Sequence, residues 1–178
     1  ATMITAVRCH LPETRLTNDD LAALFPEWPS EKIYQKTGIR ERRVAGPDET
    51  AGDLAFQAAE RLLEGRDRSR IGFVLHCTQS PDYLLPTTAC LLQDRLGLPQ
   101  RCGALDFNLG CSGYIYGLAL ADGLLRAGNA DAVLLLTGET YTKLLDPKDK
   151  GTRTIFGDAG SATLLERTSS NTLHSFVF

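Results

Sequence analysis

The sequence lacks the features that mark several large classes of protein. Its 19 lysines and arginines are outnumbered by 22 aspartates and glutamates, so it has no excess of positive charge with which to bind nucleic acid. No apolar run approaches the roughly 20 residues of a membrane span, and the opening residues lack the basic and apolar segments of a signal peptide. We therefore expect a cytoplasmic protein with neither nucleic-acid nor membrane partners.

The sequence lacks a pattern of paired cysteines. The five cysteines are odd in number and lack C-x-x-C spacing, which predicts neither a disulfide framework nor a zinc site. Cys9 and His10 together would supply only two metal ligands, so no metal site is expected. Cys77, Cys90 and Cys102 fall in apolar runs and are predicted to be inert core residues.

The composition that remains is that of an ordinary globular domain. Hydrophobic residues make up 43% and charged residues 23% of the 178 positions. A chain of this length forms one domain that buries roughly two thirds of its unfolded surface. With no repeat and no low-complexity linker in view, residues 1–178 are predicted to be a single domain.

Strand-like and helix-like segments alternate along the chain. The predicted strands span residues 3–8, 71–77, 104–107, 132–137, 159–165 and 172–178, the last two antiparallel. The predicted helices begin at Thr17, Ser30, Thr50, Pro86 and Cys111, and the last four end at Gly38, Gly65, Gly97 and Ala127. This alternation predicts an α/β fold, with a mostly parallel sheet and helices on both faces.

Cys111 is the most informative residue, because it stands where a buried strand gives way to a helix. A tight turn at Gly110 is expected to leave it at the positive end of that helix, just beyond the carboxyl end of a strand. The helix dipole and free backbone N–H groups there would stabilise a thiolate, the nucleophile of acyl-transfer chemistry. The alternative is a small buried residue that fills space under the helix.

Other polar candidates are weaker. Ser112 stands one position early for the G-x-S-x-G pattern of hydrolases. The glycine-rich stretch 156–162 lacks the lysine of a phosphate loop and is predicted to be a tight turn near the floor of the active site. His76 lies within a strand and is expected to be a satisfied core histidine, and His174 carries little weight as a base. A cysteine hydrolase is therefore disfavoured.

Three sequence motifs, in this order along the chain, carry a resemblance to a known family. They are Lys36-Thr-Gly-Ile-Arg-Glu-Arg-Arg, then Leu109-Gly-Cys-Ser-Gly-Tyr-Ile-Tyr-Gly-Leu, then Asp149-Lys-Gly-Thr with Phe156-Gly-Asp-Ala-Gly-Ser-Ala. Over essentially all its residues, the sequence resembles the amino-terminal half of β-ketoacyl-acyl-carrier-protein synthase III, a thiolase-fold condensing enzyme. The resemblance implies one half of a duplicated thiolase fold, with a mixed, mostly parallel five-stranded sheet.

The resemblance also implies a reaction. Cys111 would accept an acyl group from acyl-coenzyme A, and the carbanion left by decarboxylation of malonyl-acyl carrier protein would attack that thioester. Fatty-acid initiation is the default pathway, with secondary-metabolite or surface-polysaccharide chemistry as alternatives. No cofactor would be bound permanently. The family's histidine and asparagine come from a second half that is absent, so we expect either a truncated enzyme or a half that needs a partner, inactive in condensation alone.

Binding residues follow from the same resemblance. Coenzyme A would be held by Lys36, Thr37, Lys150 and Gly151, although the two lysines stand where arginines are common. The family's adenine-stacking tryptophan is replaced by Lys32, with Trp28 four residues away. This change leaves open an acyl donor carried on a protein, or an unusual acyl-coenzyme A.

The acyl pocket and the oligomer are implied in the same way. Tyr141 and Phe156 would line the pocket, and Leu85 would reach across a homodimer that pairs the strand 104–107. The alternative is that Leu84 and Leu85 pack under their own helix. A competing function is a non-catalytic thiolase-fold subunit that pairs with a catalytic homologue.

Overall fold

The computed structural model describes residues 1–169 and 175–178 of the chain. Its strands are β1 (Thr2–His10), β2 (Thr14–Thr17), β3 (Glu41–Val44), β4 (Ile71–Cys77), β5 (Gly103–Phe107), β6 (Ala132–Glu139) and β7 (Ala159–Arg167). Its α-helices are α1 (Asn18–Leu24), α2 (Ser30–Thr37), α3 (Ala51–Leu63), α4 (Thr88–Arg95), α5 (Gly113–Arg126) and α6 (Lys150–Arg153). Short 3-10 turns span Arg68–Arg70 and Tyr141–Lys143.

Five strands form the central sheet, in the order β1-β7-β6-β4-β5. Strand β4 runs parallel to β5 and β6, whereas β7 is antiparallel to both β6 and β1. The mixed five-stranded sheet is confirmed, but only two of its four pairings are parallel, fewer than "mostly parallel" implies. The difference arises because the antiparallel strands β1 and β7 extend the parallel group β6-β4-β5 on its β6 side.

A second, two-stranded ribbon pairs β2 with β3 and was missed in the sequence. Each strand has only four residues, Thr-Arg-Leu-Thr and Glu-Arg-Arg-Val, and neither shows a clear apolar alternation. Strands of this kind are specified by their partner rather than by their own pattern.

Helices cover both faces of the central sheet, as predicted. Helices α3 and α4 bury one face, with Ala58, Leu62 and Leu92 in its core. Helix α5 buries the other face through Leu118, Ala121 and Leu125. Strand β4 reads as a continuous apolar run because both of its faces are covered.

Helix caps are mostly where the sequence places them. The capping boxes at Thr17 and Thr50 are present, and α2 ends at Gly38 with a φ of 70°. Helix α4 begins at Thr88, so placing Pro86 in its first turn is wrong. The Asp106 carboxylate of β5 accepts the Thr88 and Ala89 N–H groups, each at 2.7 Å, and so fixes the start of the helix from another strand.

The predicted last strand, 172–178, lies partly outside the described residues, and so does His174. Residues 175–178 are described and are not a strand. Phe176 packs against the α5 core instead, and the Phe178 ring lies 4.6 Å from that of Tyr116. Among the described residues, no helix has both the length and the apolar character needed to cross a membrane.

Candidate active site

Cys111 lies in the turn between β5 and α5, with its side chain exposed. The Gly113 N–H donates to the Gly110 carbonyl oxygen at 2.8 Å and closes that turn. Helix α5 therefore begins at Gly113, and the prediction that it begins at Cys111 is wrong by two residues. The cysteine still lies next to Ser112, the N-cap residue of this 14-residue helix. Stabilisation of its thiolate by that helix stays a prediction.

Glycines bring α5 against the sheet at this point. A Cβ atom on Gly113 would overlap the Cys77 sulfur, and one on Gly117 would come within 2.6 Å of Leu135 Cδ1. Any side chain at either position would push the helix away from the ends of β4 and β6. Close helix–sheet packing therefore accounts for Gly113 in the Gly-Cys-Ser-Gly motif, in addition to the chemistry predicted for Cys111.

A cavity of about 550 Å³ opens beside Cys111. It is lined by Cys77, Gln79, Leu109, Gly110, Cys111, Tyr114, Thr137, Glu139, Tyr141, Phe156 and Gly157. The rings of Tyr141 and Phe156 meet edge to face there, with their centroids 5.0 Å apart. The structure thus brings together Cys111 and the two aromatic residues predicted for the acyl pocket.

Leu85 does not join this cavity. Its side chain is 84% exposed, and that of Leu84 is 95% exposed, so neither packs under its own helix. Within the described residues, the alternative of local packing is therefore wrong. A role in a partner's pocket stays a prediction.

The floor of the cavity carries a carboxylate that sequence reasoning missed. Glu139 accepts the Gln79 backbone N–H and the Ser80 hydroxyl, each at 2.7 Å. The signal lay in β6, where Leu135, Thr137 and Glu139 face the same side of the sheet and turn from apolar to polar at the strand's end.

The other thiols differ among themselves in exposure. Cys77 and Cys102 are buried as predicted, and burial raises the pKa of both thiols, that of Cys102 to about 11. Cys90 is exposed, so its assignment to the core is wrong. The α4 period turns Ala89 and Leu92 inward and leaves Cys90 facing solvent.

His76 lies on the opposite face of the sheet from Cys111. It is fully buried, which confirms a core position, but neither ring nitrogen has a hydrogen-bond partner among the described residues. Its Nδ1 is 3.6 Å from Asp106 Oδ1, beyond hydrogen-bond distance. The prediction that this core histidine has its hydrogen bonds satisfied is therefore wrong. Because β4 alternates its side chains, the backbone separates this histidine from the cavity.

Asp106 is a half-buried carboxylate on which burial and its polar neighbours have opposite effects. Burial opposes its ionisation most strongly, yet His76 and the N–H groups at the start of α4 more than compensate, and its pKa is lowered. The carboxylate is held in the charged form as a helix cap.

A second cluster surrounds Trp28. The ammonium groups of Lys32 and Lys36 each lie 5.7 Å from the centroid of the indole, and that of Lys150 lies 5.5 Å away. Lys150 also pairs with Glu27 at 2.8 Å. The predicted coenzyme A residues Lys36 and Lys150 thus meet around a tryptophan that sequence reasoning set aside. The four-residue spacing of Trp28, Lys32 and Lys36 was the available signal.

The other two residues predicted to hold coenzyme A have local partners. The Thr37 hydroxyl donates to the Ile33 carbonyl at 2.8 Å, at the end of α2. The Gly151 N–H donates to the Asp149 carboxylate at 2.9 Å, at the start of α6. Both residues stabilise helix ends beside the Trp28 cluster's lysines.

The glycine-rich stretch 156–162 is a close approach of backbones. A Cβ on Gly157 would come within 3.0 Å of the Arg43 carbonyl oxygen. Buried Asp158 accepts the Ala45 N–H at 2.8 Å and the Thr142 N–H at 3.0 Å. Gly157 also lines the cavity, which agrees with a tight turn at its floor.

Comparisons with known proteins agree on one group of enzymes. The family model "3-Oxoacyl-[acyl-carrier-protein (ACP)] synthase III" matches residues 105–178, which include Cys111. A curated protein of Alkalilimnicola ehrlichii, named β-ketoacyl-[acyl-carrier-protein] synthase III, is 43% identical over 173 residues. That match covers 93% of this chain and 53% of the relative.

Solved structures give the same result. A crystal structure of a 3-oxoacyl-(acyl-carrier-protein) synthase III matches with a TM-score of 0.93 and 56% identity, over 96% of this chain and 51% of that one. A 3-oxoacyl-(acyl-carrier protein) synthase from Burkholderia xenovorans matches with a TM-score of 0.92 and 38% identity, over 96% and 49%. The fold is the thiolase fold, and the chain spans about half the length of the relatives it matches.

Proposed function

We propose that this chain carries the nucleophile of a decarboxylating condensation in fatty-acid or related acyl-chain synthesis. The proposal starts from its similarity to the β-ketoacyl-acyl-carrier-protein synthase III enzymes. The observation that carries the proposal is the position of Cys111. It is exposed in the turn before α5 and opens onto a cavity lined by Tyr141 and Phe156.

In the first step, the Cys111 sulfur attacks the carbonyl carbon of acyl-coenzyme A. The bond from that carbon to the coenzyme A sulfur breaks, and coenzyme A leaves with the electron pair. The resemblance implies that the backbone N–H of Cys111 donates a hydrogen bond to the oxygen that becomes negative. Tyr141 and Phe156 supply the apolar wall for the acyl chain.

In the second step, malonyl-acyl carrier protein loses carbon dioxide. The electron pair of the broken carbon–carbon bond forms a carbanion that attacks the Cys111 thioester and expels the thiolate. The resemblance assigns stabilisation of this carbanion to a histidine and an asparagine with no match in this chain. His76 does not substitute, because it lies buried on the other face of the sheet. We propose that condensation requires residues outside the printed sequence.

The Trp28 cluster supports a coenzyme A site. Lys36 would supply positive charge for phosphate, and Lys150 would do so on leaving its ion pair with Glu27. The indole would offer a flat surface to an adenine ring once these ammonium groups turn toward phosphate. Trp28 thus replaces the stacking residue that Lys32 displaces in the sequence.

A homodimer is the proposed assembly. Strand β5 is at the edge of the sheet, with unpaired backbone groups along one side. Leu105 on this strand is 44% exposed, and Leu84 and Leu85 are also largely exposed. Pairing β5 with its copy would cover these side chains and carry Leu85 toward the partner's cavity.

The test is acylation of the protein encoded by the complete reading frame. We expect incubation with acetyl-coenzyme A to add one acetyl group, located at Cys111 by peptide mass spectrometry. The Cys111→Ala variant should lose the adduct, and Cys90→Ser, which removes another exposed thiol, should retain it. If the unaltered protein forms no adduct at Cys111, the non-catalytic subunit becomes the better interpretation.

A further inference from the structure

Glu139 places a negative charge in the cavity beside Cys111. It lies at the end of β6 on the face toward α5, two residues after Thr137, and both side chains line the cavity. Among the described residues, no lysine or arginine forms an ion pair with it. The charge therefore faces whatever occupies the cavity.

The carboxylate is fixed in position but retains capacity to accept hydrogen bonds. Its Oε1 accepts the Gln79 N–H and its Oε2 accepts the Ser80 hydroxyl, each at 2.7 Å. Ser80 is held in turn, because its oxygen accepts the Thr140 N–H at 3.0 Å. A carboxylate has about four lone-pair positions, so roughly two remain for a ligand.

The field of Glu139 reaches its neighbours in the cavity. Burial raises the pKa of the Cys77 thiol most, and the Glu139 charge raises it further. Cys77 lies directly opposite Thr137 in the β4–β6 pairing. The Glu139 charge therefore acts on another residue that lines the same cavity.

We propose that Glu139 is a specificity-determining residue that favours acyl groups carrying a hydroxyl or amino donor and disfavours acyl groups that end in a carboxylate. This inference rests on the proposed function, because it concerns the acyl group delivered to Cys111. A donor on the acyl chain would occupy a free lone pair of the carboxylate. A purely aliphatic chain would remove water from the charge without replacing its hydrogen bond, and a second carboxylate would be repelled.

Three four-carbon thioesters test the proposal with chain length held constant. The rate of Cys111 acylation is measured by intact mass spectrometry with butyryl-, 3-hydroxybutyryl- and succinyl-coenzyme A, using the protein from the complete reading frame. We expect 3-hydroxybutyryl transfer to be favoured about 10-fold over butyryl transfer, which corresponds to the lower end of the range for a hydrogen bond to a charged group. Succinyl transfer should be the slowest.

Two variants identify the charge as the cause. Glu139→Gln keeps the shape and removes the charge, so the hydroxyl preference should fall to within about 2-fold and succinyl transfer should rise about 10-fold. Glu139→Asp keeps the charge and should still reject succinate, which separates charge from loss of folding. Glu64→Gln, an equal charge change on an exposed residue at the far end of α3, should change none of the three rates.

Equal rates for butyryl and 3-hydroxybutyryl transfer in both the unaltered protein and Glu139→Gln would overturn this inference alone. Cys111 would still be acylated in that case, and the proposed function would stand. Absence of any adduct from all three thioesters would overturn both.

Discussion

Two neighbouring residues at the end of β4 meet opposite environments. His76 points to the face covered by α3 and α4, here termed the closed face, and is fully buried beside Asp106. Cys77 points to the face covered by α5, here termed the open face, and lines the cavity that holds Cys111. The same strand end is therefore sealed on one side and accessible on the other.

The difference follows from how the helices begin. On the closed face, Asp106 caps the start of α4, and Asp82 accepts the Gly52 N–H at 2.8 Å near the start of α3. On the open face, the described α5 has no side-chain cap, and its preceding turn carries Cys111 instead. Carboxylates cap the helix starts where the sheet end is closed, and the exposed Cys111 lies where it is open.

The largest expected effect comes from disrupting the close packing of α5 against the sheet on the open face. Gly113→Ala would force a Cβ atom into the Cys77 sulfur, so the free energy of unfolding should fall by about 3 kcal/mol. The turn that carries Cys111 should shift with the helix, which would also slow acylation. Chemical denaturation measures the first effect, and intact mass spectrometry measures the second.

Gly123 in the same helix is the matched control. A Cβ atom there meets nothing within 4 Å, so Gly123→Ala should be neutral or stabilising by up to about 1 kcal/mol. Equal destabilisation by the two substitutions would show that helix–sheet contact at Gly113 does not create the open face.

A smaller effect is expected in the rates at which exposed and buried thiols are alkylated. At pH 8, exposed Cys90 should react with iodoacetamide at least about 100-fold faster than Cys102, since burial and a pKa of about 11 leave little thiolate at Cys102. Peptide mapping after timed labelling measures both rates. Denaturant should abolish the difference, and comparable labelling in the native protein would show that the interior is not closed around Cys102.

Local chemistry made part of the fold predictable. The capping boxes at Thr17 and Thr50 and the end of α2 at Gly38 depend on residues within a few positions of one another. Runs with strong apolar character, such as β4 and β6, were found for the same reason. Cys111 was identified because a strand, a glycine and a helix follow one another directly in its sequence.

The missed features depend on residues far apart in the chain. Trp28 meets Lys150 across the fold, and Asp106 caps a helix that begins at Thr88. Glu139 enters the cavity floor only because β6 pairs with β4 beneath α5. Contacts between residues so far apart in the chain are created by topology. Local patterns, such as the alternation along β6, indicate only which side chains share a face.

The smallest expected effect concerns the carboxylate on the closed face. Asp106→Asn would remove the charge that accepts the Thr88 and Ala89 N–H groups, so the free energy of unfolding at pH 7 should fall by about 1–2 kcal/mol. The exposed residue Asp48 provides the control, because Asp48→Asn should leave stability within about 0.5 kcal/mol.

The same variant has a pH signature with a defined sign. The folded-state pKa of Asp106 lies below its unfolded value of about 4, so its stabilisation is complete above that value and is lost as pH falls through the folded-state pKa. The gap in stability between the unaltered protein and Asp106→Asn should therefore narrow below about pH 4. Denaturation curves at pH 7, 5 and 3 measure it. A difference in stability that stays constant with pH would mean that Asp106 stabilises α4 by its shape alone. The charge of its carboxylate would then not contribute to the stability of the closed face.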